Sequence, residues 1–475
     1  MMRIVCLPVD SRPCCTQFIE SLVSWGGSEA VFPRKEEMDD FKRHAAYKAT
    51  RSFLERELPQ SDAAVISLDH WCYGSLLASR EEEISQEEAL RRVEDLKHLL
   101  AKYPSVSAYM SSMIMRSSIS SLSSDDLEAY HAMTEYSVAS DRYARFGLAE
   151  DAEKIEEAKK HIPEAVLQKV LRVRQRNLKV NLAAVELAAD GIVKSLSILQ
   201  EDSQVYGLPK KDQNEILKKI EETKAKNVFL RNGTDEAGAL SAAEALWHGR
   251  KPLPVDIIYL GQADFTASYE DRPFQENLES ACRESGIQAV PGSETVIFVC
   301  CPPKGEQREA FQLSNDDNFK EYADRIQEFV QAGKRVYVLD LIGANGGSEA
   351  LMNSLSCADA LWGYSAWNTA SNAMGTLLAQ VITDHLREER NFRFYQERLL
   401  DDYLYQTHVR GKLNGVLREL GEDVYSLLDR RRAEKAMREI FDQELTKLWP
   451  LKRVPSFGVS LPWERTFEVK AEVLE

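Results

Sequence analysis

The chain has 475 residues, more than one ordinary hydrophobic core serves, so two or three domains or one large α/β barrel with additions are expected. Its 60 Lys plus Arg face 76 Asp plus Glu, a formal charge of -16, which repels a phosphate backbone and argues against a nucleic-acid partner. The eight cysteines (Cys6, Cys14, Cys15, Cys72, Cys282, Cys300, Cys301, Cys357) form neither a C-x-x-C zinc pattern nor a compact disulfide framework.

The N-terminal stretch Met1–Asp10 lacks the long apolar region and cleavage site of a signal peptide, and no run is long enough to span a bilayer. These features predict a soluble cytoplasmic protein with reduced thiols and no membrane association. Short β-rich runs then recur along the chain: Arg3–Leu7, Ala63–Leu68, Val106–Met110, Ser195–Leu199, Asn227–Leu230, Val255–Leu260, Thr295–Val299, Arg335–Leu339 and Ala360–Tyr364. Each is followed by a polar or glycine-containing turn and a helical stretch, the pattern of a mostly parallel sheet covered on both faces.

The fold class is therefore α/β, with a (β/α)-barrel-like catalytic region; two consecutive open α/β domains divided near residue 250 are the alternative. In the barrel-like reading, residues 1–122 and 191–384 form the α/β core. Residues 123–190 are charged, helical and strandless, as an insertion that could cap a site. Residues 385–475 form a helical C-terminal region, and the alternating, proline-containing segment Val454–Val469 ends it as an edge strand or hairpin. No internal repeat is evident.

In parallel α/β folds the carboxyl ends of strands line the ligand crevice, so polar residues there are the candidates. Strand one ends in Asp10 and Arg12, which suit either a ligand or a turn stapled by an ion pair. Ser67–Ser75 supplies Asp69, His70 and Tyr73, followed by Arg80. Adjacent residues on an extended chain face opposite ways, so Asp69 is taken for the site and His70 for structure. Asn177 and Asn181 fall one helical turn apart, as two stacked amides for a polyhydroxylated ligand or as a solvated helix face.

Glu201-Asp202, followed by Tyr206, and Asp235-Glu236 are carboxylate pairs at two further strand ends, the candidates for acid–base catalysis. Asp235-Glu236 also suits the N-terminus of the next helix. Glu270, Asp271 and Arg272 read as a solvated mixed-charge loop. Asp340 ends a late strand before Asn345-Gly-Gly, with a helix starting near Ser348. Trp367, Asn368 and Asn372 follow the last strand as platform, polar reader and support. The chain has no G-x-G-x-x-G, Walker lysine, H-E-x-x-H or G-x-S-x-G pattern, and no His pair at metal-ligand spacing, so no cofactor and no metal are expected.

Several of these segments together resemble a bacterial family known only as a domain of unknown function, DUF4127. They are Leu7–Pro13, Ser67–Asp69 with Tyr73-Gly74 and Ser79-Arg80, Arg176-Asn177 with Asn181, Asp202 with Tyr206-Gly207, Asp235-Glu236, Tyr269–Pro273, Asp340 with Asn345-Gly346, Trp367–Thr369 with Asn372, and Leu461–Trp463 with Thr466–Glu468. Glu201-Asp202 stands where the family usually pairs two aspartates, and Ala366 replaces the glycine before Trp-Asn. The resemblance implies a shared polar site and supplies no established reaction.

The functional expectation is a carbohydrate-active hydrolase, a glycosidase, using Glu201, Asp202, Asp235 and Glu236 on a small-molecule sugar. A noncatalytic sugar or small-metabolite binding protein is the first alternative. A metal-dependent hydrolase or lyase using Asp10, Asp69 and Asp340 is the second, and homo-oligomerisation is left open.

Overall fold

The computed structural model describes residues 1–303, 306–314 and 318–474. It contains two compact units: Met1–Ala245 with Tyr269–Asp271, and Leu246–Ser268 with Arg272–Glu475.

The first unit is built on strands β1 (Arg3–Leu7), β2 (Glu29–Val31), β3 (Ala63–Ser67), β4 (Ser107–Ile114), β5 (Ser195–Gln200) and β6 (Val228–Asn232). All pairings are parallel, in the order β2-β1-β3-β4-β5-β6. β3 and β5 are buried along their whole length, as the apolar runs require of strands covered on both faces. One core joins Val5, Leu7, Ile66, Met110, Leu196 and Ile198 to helix residues Phe53, Leu96, Ala184 and Ile216. The pairs Leu7–Ile66, Ser67–Ser111, Ile114–Gln200 and Gln200–Asn232 bring five strand ends to one edge.

The second unit carries β7 (Leu253–Leu260), β8 (Ile287–Ala289), β9 (Thr295–Cys300), β10 (Arg308–Glu309), β11 (Arg335–Asp340), β12 (Gly343–Ala344) and β13 (Gly363–Ser365). Five of them form a parallel sheet ordered β13-β11-β9-β7-β8, and β10 pairs with β12. In each unit the second strand lies outside the first and the third crosses back beside it, so the two share one winding without a visible sequence repeat. Helices follow, and β14 (Phe457–Ser460) and β15 (Lys470–Val473) close the chain as an antiparallel pair.

The α/β, mostly parallel class is as expected, and all nine strand runs read from the sequence overlap strands, the last only at Gly363–Tyr364, since Ala360 ends a tight helical turn. β6 pairs with β5, β7 begins a separate sheet, and the two compact units divide at Ala245/Leu246. Helices Leu127–Phe146, Ala149–Lys160 and Glu164–Ala189 fill the interval between β4 and β5. No helix among the described residues is long and apolar enough to cross a membrane, and all eight cysteines are free thiols.

An eleven-residue π-helix, Leu399–Val409, lies inside the C-terminal helices. Sequence periodicity gave no sign of it, because widening the turn shifts the apolar stripe without removing it.

Candidate active site at the carboxyl edge of the first sheet

Between β1 and β3 the first sheet changes its direction of growth. The turns after such strands diverge and leave room for a ligand at their carboxyl ends. β1 delivers Asp10 and Arg12 there, β3 delivers Asp69 and His70, and the outer strands β5 and β6 deliver Glu201-Asp202 and Asp235-Glu236.

Arg12 is clamped between two carboxylates. Its Nε lies 2.9 Å from Asp10 Oδ1 and its Nη1 3.1 Å from Asp235 Oδ2, with all three side chains buried. Burial works against ionising Asp10, but the Arg12 guanidinium outweighs it and holds the carboxyl below its usual range. Asp39 accepts a hydrogen bond from Ser11 at 3.2 Å. Burial, then the nearby Asp10 charge, pushes it well above the carboxylate range.

β3 passes directly into the short helix Leu68–Tyr73, whose cap is Ser67, its hydroxyl accepting from the His70 N–H at 3.3 Å. Asp69 and His70 thus occupy a helical turn, not an extended chain, and the opposite-face argument does not apply to them. His70 Nδ1 is 2.8 Å from the Pro8 carbonyl, and burial lowers its pKa to about 4, so it is a neutral brace between β1 and β3. Asp69 accepts from the Met113 N–H at 2.9 Å. Burial raises it to about 7 against the weaker pull of that bond and of Arg176 and Arg80.

Gly74 ends this helix at φ +103°, and a Cβ there would lie 2.4 Å from the Ala45 carbonyl oxygen. Gly74→Ala is expected to cost about 1–3 kcal/mol, read as a lowered denaturation midpoint, because neither the backbone angle nor the neighbouring backbone accommodates a side chain.

Glu201 pairs with Arg80, and its Oε2 accepts from the Arg116 N–H at 3.3 Å; Asp202 pairs with the Arg116 guanidinium. Arg116 also lies 5.8 Å from the Tyr130 ring centroid. Asp235 belongs to the Arg12 clamp, while Glu236 pairs with Arg231 and accepts from the Thr234 N–H at 2.8 Å. Glu236 thereby braces the turn Gly233–Asp235 from the interior.

The two amides are buried, not a solvated helix face. Asn177 donates to the Ser79 carbonyl at 2.8 Å and accepts from Arg176 Nε at 3.0 Å. Asn181 accepts from Ser112 at 2.7 Å and donates to the Met113 carbonyl at 3.2 Å. They fix the loop carrying Arg80 and the strand end beside Asp69. Arg176 lies 4.2 Å over the ring of Tyr73, whose buried hydroxyl has no hydrogen-bond partner among the described residues. Tyr206 sits among Phe146, Arg142 and Arg145 on the neighbouring helix.

The segment read as a solvated loop is otherwise: Glu270 and Asp271 are buried, and Asp271 pairs with Lys210 at 2.8 Å and with Gln213. Asp271 is distant in sequence from Lys210 and Gln213, so no local pattern marked it.

In the second unit, Asp340 accepts from the Ser348 N–H at 2.8 Å and the Tyr364 hydroxyl at 2.9 Å, and burial raises its pKa. Ser348 caps the helix Glu349–Ser354, as the sequence suggested. Asn345 and Asn368 both adopt positive φ, 58° and 60°, and the Asn345 N–H donates to the Asn368 carbonyl at 2.9 Å. Paired left-handed non-glycine residues at strand ends mark a strained, over-determined turn. Trp367 is buried, so it is a core anchor, and Asn372 lies within the helix Ala370–Arg387. Asp402 of the π-helix accepts from the Ala366 N–H at 2.9 Å and ties that helix to the end of β13.

Among the described residues only Cys14, Cys15 and Asp235 bring their donor atoms within 4.8 Å of one another as a group of three potential metal ligands. No curated protein matches the chain. The family model described as "Protein of unknown function (DUF4127)" matches residues 4–472, nearly the whole sequence with both units and the candidate site, and the chain belongs to that family.

Proposed function

We propose that the protein is a carbohydrate-active hydrolase, a glycosidase in which Asp69 transfers the proton. The observation that carries this reading is the division among carboxyls at one sheet edge. Burial lifts Asp69 to about 7, whereas Glu201 and Asp202 lie against Arg80 and Arg116. A guanidinium partner favours the ionised carboxylate. An acid held near 7 thus stands at the same sheet edge as carboxylates paired with guanidinium groups, and cleavage of a glycosidic bond needs such a division of roles.

In this mechanism Asp69 protonates the leaving oxygen, and Glu201 or Asp202 serves as base or nucleophile. Asp235 and Glu236 act as positioning residues through Arg12 and Arg231. The charges also favour a neutral sugar: Asp10, Glu201, Asp202 and Asp235 against Arg12, Arg80 and Arg116 give 3 - 4 = -1. Such a cluster offers many hydrogen-bonding atoms and little net charge.

The test is a panel of nitrophenyl glycosides and unmodified oligosaccharides, assayed with and without chelator. Turnover of at least one glycoside class is expected. Sugar binding by calorimetry without turnover on any member would assign the protein to noncatalytic sugar binding instead.

A further inference from the structure

Independently of the hydrolase reading, we propose that Cys14, Cys15 and Asp235 form a binding site for a thiophilic divalent cation of the zinc class. Adjacent cysteines on a strand point to opposite faces. Cys14 and Cys15 instead lie in the tight helical turn Pro13–Cys15 after β1, which brings their sulfurs to 3.6 Å. Two thiolates on one tetrahedral zinc, with Zn–S of about 2.3 Å, stand ~3.8 Å apart. The sulfurs therefore already have nearly the spacing of two corners of a zinc tetrahedron.

The third donor comes from the turn that follows β6. A carboxylate oxygen of Asp235 lies within 4.8 Å of both sulfurs, and all three residues are buried. Arg12 holds that carboxylate through both of its oxygens, the kind of outer contact that orients a metal ligand. A small, mostly apolar cavity touches Cys15 and Asp235, with Ser67 and Ser111 as its other polar side chains, and is at most large enough for a single water-sized fourth ligand.

Charge balance favours the exchange. With neutral thiols, Asp10, Asp235 and Arg12 sum to -1. The cation replaces two thiol protons, two S–H bonds giving way to two metal–sulfur bonds and two released protons, and the sum stays at -1. The buried cluster thus gains an ion without gaining net charge, which removes the main cost of burying it. The other adjacent pair, Cys300 and Cys301, has no such donor group around it among the described residues.

The experiment uses the full-length reduced protein with Zn²⁺ or Cd²⁺ alone. One equivalent of Zn²⁺ per chain is expected by equilibrium dialysis with metal analysis, and Cd²⁺ is expected to produce thiolate-to-metal charge-transfer absorption. Both signals are expected to vanish in the double variant Cys14→Ser, Cys15→Ser while its circular dichroism stays that of the wild type. In the wild type, Zn²⁺ at about ten times its Kd is expected to slow alkylation of Cys14 and Cys15 roughly tenfold and leave the half-buried Cys357 unchanged, as mapped by mass spectrometry. That protection decides the question alone if the double variant does not fold. Absence of stoichiometric binding, charge transfer that persists without the two thiols, unprotected Cys14 and Cys15, or isolation of the pair as a disulfide overturns the site.

Discussion

Asp69→Asn is expected to lower turnover by about 10²–10⁴-fold, the range for loss of a positioned general acid, and at the same time to stabilise the protein at neutral and higher pH. The folded pKa of Asp69, about 7, lies above its ordinary 3.8. The stability linked to its neutral form is therefore complete below about pH 4 and is lost as pH rises through about 7. Asparagine stays neutral throughout, and its amide oxygen can still accept from Met113. The variant is expected to exceed the wild type by about 2–4 kcal/mol near pH 8 and to match it near pH 4.

Denaturation at the two pH values, with kinetics on glycosides of good and poor leaving groups, checks both halves. A general acid matters most when the leaving group is poor, so the loss should shrink on dinitrophenyl glycosides. A variant losing activity and stability together, with no dependence on leaving group, would reduce Asp69 to a structural brace.

Arg398→Met is expected to be the most destabilising single change away from the candidate site. Arg398, Asp401 and Asp402 are 1, 3 and 0 % exposed, and Arg398 Nη1 reaches Asp402 Oδ1 at 2.8 Å and Asp401 Oδ2 at 3.2 Å. Removing the guanidinium leaves two buried carboxyls without their cation, a loss of about 3–5 kcal/mol near pH 8. Burial already lifts Asp401 to about 7 with Arg398 present and raises Asp402 as well. Both carboxyls can therefore neutralise on acidification, and the penalty should diminish below about pH 5. Denaturant midpoints at both pH values separate the effects: a loss unchanged by acid would come from packing.

Much of the fold was legible because long apolar runs bounded by turns can do little else in water than form buried parallel strands. Short strands such as β2 and β8 escaped notice, since three residues carry too little periodicity to stand out from a loop. The candidate residues were legible as strand-end polar groups, but their roles were not. Asn177 and Asn181 have the spacing of a ligand-reading face, yet they bind backbone carbonyls and neighbouring side chains. Asp69 and Glu201 are equally acidic in a sequence; Arg80 separates them by pairing with Glu201, while burial acts on Asp69. Cys14-Cys15 fits no zinc spacing rule, because its third donor comes from a turn more than two hundred residues away.

By itself, then, the sequence determined the α/β class, the strand runs, the free thiols and the inventory of polar residues at strand ends. These follow from local hydrophobicity, turn chemistry and composition, which act over a few residues. Only the tertiary structure decided that the strands form two sheets, that Glu236 and the asparagines are engaged in internal hydrogen bonds while burial raises the Asp69 carboxyl, and that two cysteines meet Asp235. Charge state, donor geometry and burial depend on partners brought together by folding, and in the low-dielectric interior those partners outweigh the intrinsic chemistry of each residue.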